Sequence, residues 1–283
     1  MIPVLAILAA FVPAVLWLWF FYSRDRYERE PKTLIIKLFF WGLLAGPWAA
    51  GLNDLLRGLL GPSIEGAGKA GLIPLAVSLL VIMVVLAALN EETMKYLVTT
   101  NSTHANPNFN EVVDGMIYIS AAALGFAGGE NFFYIIRAYV GGLEDGSARA
   151  AFGFAFGHVA IFRALFTSIG HVAWSGITGY FLGQHLIGKR SGRLVLGGII
   201  LATILHTAWN LSWWFQGVFV ENVRSFWFID LTWYFAFAML VAVIGIGVYL
   251  MLLRRALAAS PFRAKQLAAA PAPPAAGETP PAG

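Results

Sequence analysis

Apolar residues gather along this chain into seven blocks, at roughly 3–22, 34–52, 72–99, 112–138, 152–185, 194–216 and 226–253, with most polar residues confined to the stretches between them. Crossing the hydrocarbon core of a bilayer takes about 20 apolar residues in a helix. Blocks this long and this numerous exceed the needs of a soluble core. The pattern predicts an all-α, polytopic membrane bundle of about seven transmembrane helices. The first block lacks a basic leading region and a small-residue cleavage pattern, so it reads as a mature helix. The fifth is longer than one crossing requires. Its early part repeats Phe152, Phe154, Phe156 and Phe162 around Arg163, which reads as an interfacial helix over 152–163 leading into the span proper. From residue 259 the chain is mostly Ala, Pro and Gly, ending PAPPAAGETPPAG. Such a segment buries too little surface to offset its ordering entropy. The organisation read from the sequence is one membrane-embedded unit over 1–258 and a disordered, cytoplasmic tail over 259–283.

Basic residues set the expected orientation. Arg24, Arg26, Arg29 and Lys32 follow the first block, Lys189, Arg190 and Arg193 follow the fifth, and Arg254, Arg255, Arg263 and Lys265 lie in or near the tail. An odd number of spans puts all three groups on one side, and the positive-inside rule makes that side cytoplasmic, with the N-terminus outside. The connection over 100–110, TNSTHANPNFN, falls on the same side without a single Lys or Arg.

The chain is 59% hydrophobic and 12% charged, which agrees with a bilayer as solvent. It contains no cysteine, so disulfides, thiolate ligands and cysteine nucleophiles are excluded, leaving imidazole, carboxylate and amide to hold any metal. The net charge of +4 does not point to nucleic acid, because the basic residues sit at the ends of apolar blocks, where they encode topology.

Against this background a few polar residues inside the blocks stand out. Charged or ionisable groups in hydrocarbon are costly unless they pair, bind a metal or line a wet cavity. The third block carries Asn90-Glu91-Glu92-Thr93-Met94-Lys95. On a helix Lys95 lies within reach of both glutamates, so it can neutralise one while the other points about 100° away. The plain alternative is an interfacial helix end whose charges reach into water. The fourth block carries Glu130-Asn131 beside Gly125 and Gly129, a small-xxx-small face that lets a neighbouring helix approach closely. There the plain alternative is a buried glutamate paired with Lys95 or Arg137 for assembly alone. His171 lies in the fifth block with Ser168 and Ser175 on either side, and the sixth block places His206, Trp209 and Asn210 together. A single membrane histidine is more often a packing residue than a ligand. Two histidines and two glutamate sites on four helices point instead to one hydrolytic centre. At about 1.5 Å of rise per residue, Glu91 lies roughly 12–14 Å from the cytoplasmic helix ends, His206 about 18 Å, His171 about 21 Å and Glu130 about 25 Å. Tilt can absorb that spread.

Glu91-Glu92-xx-Lys95, Phe126-xxx-Glu130, an intramembrane His171 and His206-xx-Trp209-Asn210, in this order on consecutive blocks, resemble the PrsW family of bacterial membrane proteases. The likeness covers roughly residues 85–215. PrsW proteins are similar to the wider group of CAAX-prenyl-protease-like membrane proteins, whose motifs run EExxxR, FxxxH and HxxxN or HxxxD. This chain departs from that pattern with its lysine one position earlier and with Glu130 where the second motif has histidine.

The resemblance implies an intramembrane peptidase of the bacterial plasma membrane that cuts a single-pass membrane protein, typically an anti-sigma factor in a stress-signalling cascade. It also implies either a divalent metal, with Zn2+ favoured, or a metal-free glutamate mechanism. On that reading Glu91 or Glu92 activates water, and Glu130, His171 and His206 supply metal ligands. Asn210 stabilises the oxyanion or orients a ligand, with Lys95, Asn131 and Trp209 in support. Two other classes compete. A proton- or ion-coupled transporter also carries mid-membrane carboxylates, but this sequence has no evident inverted repeat. A non-catalytic scaffold would keep the histidines without needing the glutamate pair.

Overall fold

The structure is a computed structural model that describes residues 1–214, 222–226 and 229–269. Apolar residues led by a proline in the first turn form α1, Ile2–Tyr22. In a bilayer, backbone groups have no water to bond, so each crossing segment satisfies them as a helix. Helix α2, Lys32–Lys69, starts after Pro31, whose fixed φ suits a helix entry. It stops at Gly71, whose φ of 75° is a left-handed conformation that a residue with a Cβ rarely adopts. Helix α3, Ile73–Thr103, again opens on a proline. Helix α4, Val112–Asp145, is entered through a reciprocal cap in which Asp114 Oδ2 accepts from the Glu111 N–H at 2.7 Å. Helix α5 runs over Ala148–Leu186 and is capped by Ser147. Helices α6, Arg193–Trp214, and α7, Trp233–Ala258, complete the bundle.

These seven helices are long and apolar enough to cross a membrane, as the hydrophobic pattern predicts. Their outer faces present large apolar side chains, among them Leu8, Trp19, Trp48, Leu59, Leu165 and Ile204. Such a surface suits lipid, not water.

Four details differ from the sequence reading. Helix α2 continues past residue 52 to Lys69, with Asp54–Arg57 and Glu65–Lys69 paired at 3.9 and 3.8 Å along its exposed face. Helix α5 does not break into an interfacial helix and a span. It passes through two wide π-helical stretches, Gly153–Val159 and Arg163–Thr167, which keep the backbone bonded inside the helix. The seventh span begins at Trp233, and residues before it form an antiparallel pair of strands, β1 (Asn222–Phe226) and β2 (Ile229–Thr232). Finally, Pro261–Ala269 of the expected tail form a short helix, α8. Residues 270–283, the rest of that tail, lie outside the described residues.

Helix α4 is the hub. Its most apolar window is 94% buried, against 17–44% for the others, so it touches protein on every side. Glycines make this possible at two seams. A Cβ on Gly115 would overlap the Gly179 carbonyl of α5, and one on Gly179 would overlap Gly115 in return. A Cβ on Gly125 would overlap the Phe39 carbonyl of α2. These seams bring α2 and α5 against α4 at backbone contact. The main core then packs Met116, Ile117 and Leu124 of α4 with Trp174 and Ile177 of α5, Trp209 of α6 and Tyr249 of α7.

Candidate active site

Helices α3, α4, α5 and α6 meet around a cluster of buried charge. Adjacent glutamates on α3 point different ways, as a helical step of about 100° requires. Glu92 turns into the bundle, where all its partners are side chains. Its Oε1 accepts from Lys95 Nζ at 2.7 Å and lies 2.9 Å from His206 Nδ1, and its Oε2 accepts from Ser175 at 2.7 Å. Both Glu92 and Lys95 are buried, so neither has water to fall back on.

Glu91 turns toward α2 and α6. Its Oε1 accepts from Asn53 Nδ2 at 3.0 Å, and Asn53 in turn accepts from Asn90 at 3.0 Å. Its Oε2 is buried without a hydrogen-bond partner and faces His206 Nε2 at 3.6 Å. A buried carboxylate oxygen left open in this way is costly unless another group meets it.

His171 links two charged groups. Its Nδ1 lies 2.8 Å from Lys95 Nζ, and its Nε2 lies 3.0 Å from Glu130 Oε2. Glu130 also pairs with Arg163 Nη2 at 2.8 Å. Arg163 is held by Asn131 Oδ1 at 2.7 Å and lies 3.9 Å over the Tyr134 ring, and Asn131 bonds Ser168 at 3.0 Å. Arg163 is the first residue of the second π-helical stretch, so the irregularity in α5 coincides with the residue that anchors Glu130. The His206 ring stacks on Trp174 at 4.7 Å, and Trp174 packs against Trp209.

One ligand atom from each of Glu91, His171 and His206 falls in a set whose members all lie within 4.8 Å of one another. Two imidazoles and a carboxylate fit a tetrahedral zinc site, in which neighbouring ligands bonded at about 2.0–2.1 Å stand about 3.4 Å apart. The 3.6 Å between Glu91 Oε2 and His206 Nε2 matches that edge. Each imidazole is also oriented by a carboxylate through its other nitrogen, Glu92 for His206 and Glu130 for His171. Histidine ligands of metals commonly carry such partners.

Eight of the nine residues singled out from the sequence fall in this network or pack on it: Glu91, Glu92, Lys95, Glu130, Asn131, His171, His206 and Trp209. Their places in it differ from those expected. Glu91, not Glu130, joins the two histidines in the compact set, while Glu130 stands behind His171. Glu92 has both oxygens taken up by Lys95, His206 and Ser175. The ninth residue, Asn210, is half-buried one turn beyond His206 and makes no side-chain hydrogen bond among the described residues. Sequence reasoning missed Asn53, which lies just past the expected end of the second block, and the anchoring role of Arg163, which it placed at the interface. The only signal for either was a polar side chain next to an apolar run.

The profile of a family described as "PrsW family intramembrane metalloprotease" matches residues 30–246. The chain is 28% identical to Protease PrsW of Geobacillus kaustophilus over 71% of its length and 76% of that protein. It is 25% identical to Protease PrsW of Bacillus subtilis over 78% of its length and 90% of that protein. A third relative, Protease PrsW of Clostridioides difficile, is 29% identical over 70% of this chain and 75% of its own. No solved structure matches.

Proposed function

The chain belongs to the PrsW family of intramembrane metalloproteases, and on that premise we propose that it hydrolyses a peptide bond of a membrane protein inside the bilayer with a metal held by Glu91, His171 and His206. The observation that carries this reading is the approach of three ligand atoms from α3, α5 and α6 to within 4.8 Å, with Glu91 Oε2 left unpartnered. Zinc is the ion we assign, because two imidazoles, one carboxylate and an open fourth position form a hydrolytic zinc set. Bound there, the ion supplies Lewis acidity toward the scissile carbonyl and lowers the pKa of water.

The chain's own residues do the rest. Glu92 keeps His206 in place by accepting from Nδ1, while Lys95 and Ser175 take up its other acceptor positions. Glu130 orients His171 by accepting from Nε2–H, and Arg163 holds Glu130 in place at 2.8 Å. Asn210 has free amide donors on the same face of α6 as His206, suited to the oxyanion that develops on the carbonyl. The substrate must present an extended segment, since a helix hides its carbonyls in hydrogen bonds.

The family resemblance supports a single-pass substrate of the anti-sigma type and a place in the bacterial plasma membrane. The distribution of Lys and Arg supports an outside N-terminus. The test of the metal is direct: purify the protein in detergent without chelator and measure bound metals by mass spectrometry. We expect near-stoichiometric zinc, lost in His206→Ala. Cleavage that survives full removal of metal overturns the assignment.

A further inference from the structure

A second group of buried acids lies far from the candidate active site. Asp25, Glu28 and Glu30 come from the connection between α1 and α2, and Glu111 and Asp114 from the start of α4. Along α4, Asp114 and Glu130 are sixteen residues apart, about 24 Å of helix rise. Asp25, Glu30, Glu111 and Asp114 are each at most 1% exposed. Around the active site every comparable carboxylate has a Lys, Arg or His nearby. Here, among the described residues, no ion pair reaches any of the five acids within 4.0 Å.

The bonds that do form leave oxygens over. Asp25 Oδ2 accepts from the Glu30 N–H at 3.3 Å. Glu30 Oε2 accepts from the Tyr118 hydroxyl, which also lies 3.3 Å from the Asn108 carbonyl. Asp114 Oδ2 accepts from the N–H groups of Asn110 and Glu111, both at 2.7 Å. Asp25 Oδ1, Glu30 Oε1 and Asp114 Oδ1 remain buried with no donor, and so does the amide oxygen of Asn110. The Glu30 and Asp114 carboxyl groups touch each other, although neither brings a hydrogen to the contact when ionised. A shared proton or a cation between them would relieve that contact, and the test below separates the two.

The donors are all oxygens, and the site contains no imidazole. That chemistry suits a hard divalent cation, not the borderline-soft zinc of the histidine centre.

We propose that Asp25, Glu30 and Asp114, with Glu111 and the Asn110 amide oxygen around them, form a second metal site for a hydrated hard divalent cation of the Mg2+ or Ca2+ type. Mg2+ keeps several of its waters, so the touching Glu30–Asp114 pair can meet the ion directly while Asp25, Glu111 and Asn110 act through water. The ion would clamp the α1–α2 connection onto the start of α4. Helix α8 leans on the same connection through Gln266, whose Nε2 donates to the Tyr27 carbonyl at 3.3 Å.

The test uses the full chain in detergent at pH 7.5, stripped with chelator and titrated with MgCl2 or CaCl2 against NaCl of matched ionic strength, following thermal unfolding. We expect millimolar divalent cation to raise the unfolding temperature by several degrees beyond the NaCl control. Glu30→Gln and Asp25→Asn should each unfold at or above the wild-type temperature without cation, because a buried charge is gone. Each should need at least tenfold more divalent cation for the same shift. The wild-type titration stands even where a variant fails to fold. No divalent-specific shift in the wild type overturns the proposal. So does an equal shift in both variants, or stabilisation by lowering the pH to 5 with no response to Mg2+ or Ca2+, which would mean that protons alone neutralise the cluster.

Discussion

Lys95 Nζ stands 2.8 Å from His171 Nδ1, and this contact fixes the state of the imidazole. An ammonium has only donors, so Nδ1 accepts, and Nε2 carries the ring proton toward Glu130. His206 is arranged in the opposite sense: Nδ1–H donates to Glu92, and the Nε2 lone pair faces Glu91. His171 joins a metal's ligand shell only by giving up one of its two bonds. Releasing Lys95 costs less, because Lys95 keeps Glu92 at 2.7 Å.

The roles assigned to Glu91 and Glu130 separate in one experiment. Glu91→Gln removes a charged ligand and should lower both bound metal and cleavage. Glu130→Gln should keep part of the metal, with affinity or activity lowered by about 10–100-fold, the range for loss of a partner behind a metal-bound histidine. Bound metal and cleavage measured on the same preparations decide it, and loss of metal from Glu130→Gln with retention in Glu91→Gln would reverse the two assignments.

Glu92→Ala acts chiefly on stability. It leaves the Lys95 ammonium, 0% exposed, without its carboxylate, at a cost of about 3–5 kcal/mol for a broken buried pair. The variant should unfold at a clearly lower temperature than Glu91→Ala and accumulate less. Equal melting temperatures for the two would contradict the division of labour between these neighbours.

Asn53→Ala tests the support behind Glu91. Removing its bond to Oε1 should lower metal affinity or activity by about 10–100-fold, as for other partners of a metal ligand. Metal affinity from competition with a chromophoric chelator is the readout, and it should leave the unfolding temperature of the metal-free protein little changed.

The helix seams predict a contrast among glycines. Gly179→Ala drives a methyl into the Gly115 backbone, with an overpacking cost of about 1–3 kcal/mol or more. Gly157→Ala meets nothing within 4 Å and should be neutral or slightly stabilising. Thermal unfolding of the two variants side by side provides the check.

The acid cluster gives stability a pH dependence when divalent cations are withheld. Asp25 and Glu30 rise from ordinary values of 3.8 and 4.5 to about 7 in the folded protein, mainly through burial. Between those limits the folded state binds more protons than the unfolded state, so stability falls as pH rises and levels off above about 7. Unfolding temperature measured in chelator from pH 5 to 8 should decline over this window, and a rise would refute the sign.

The helices were legible in the sequence because hydrocarbon demands long apolar runs, and the polar cluster was legible because Glu91, Glu92, Glu130, His171 and His206 have no cheap reason to lie within such runs. The pairings were not. Whether Glu91 or Glu130 meets the histidines depends on how α3 and α4 are rotated and tilted, which a count of residues along each helix does not fix. Asn53 was hidden because helix α2 outlasts its apolar stretch. Asp25 and Glu30 looked like ordinary polar residues of a connection, since nothing in their local sequence announces that α4 will bury them.

The enclosure of α4 bears on how the protein is made. Its best window has a mean hydropathy of 1.4, the lowest among the seven, and the helix carries both Asp114 and Glu130. Synthesis delivers α1, α2 and α3 before it and α5 only afterwards. While α5 is still in the ribosome, the face of α4 bearing Gly115, Ile119 and Glu130 has no partner and must wait beside lipid or the insertion machinery. The arrival of α5 closes that face at the Gly115–Gly179 seam and delivers Arg163 and His171 to Glu130 in the same docking event, so covering the helix and pairing its buried carboxylate are one step.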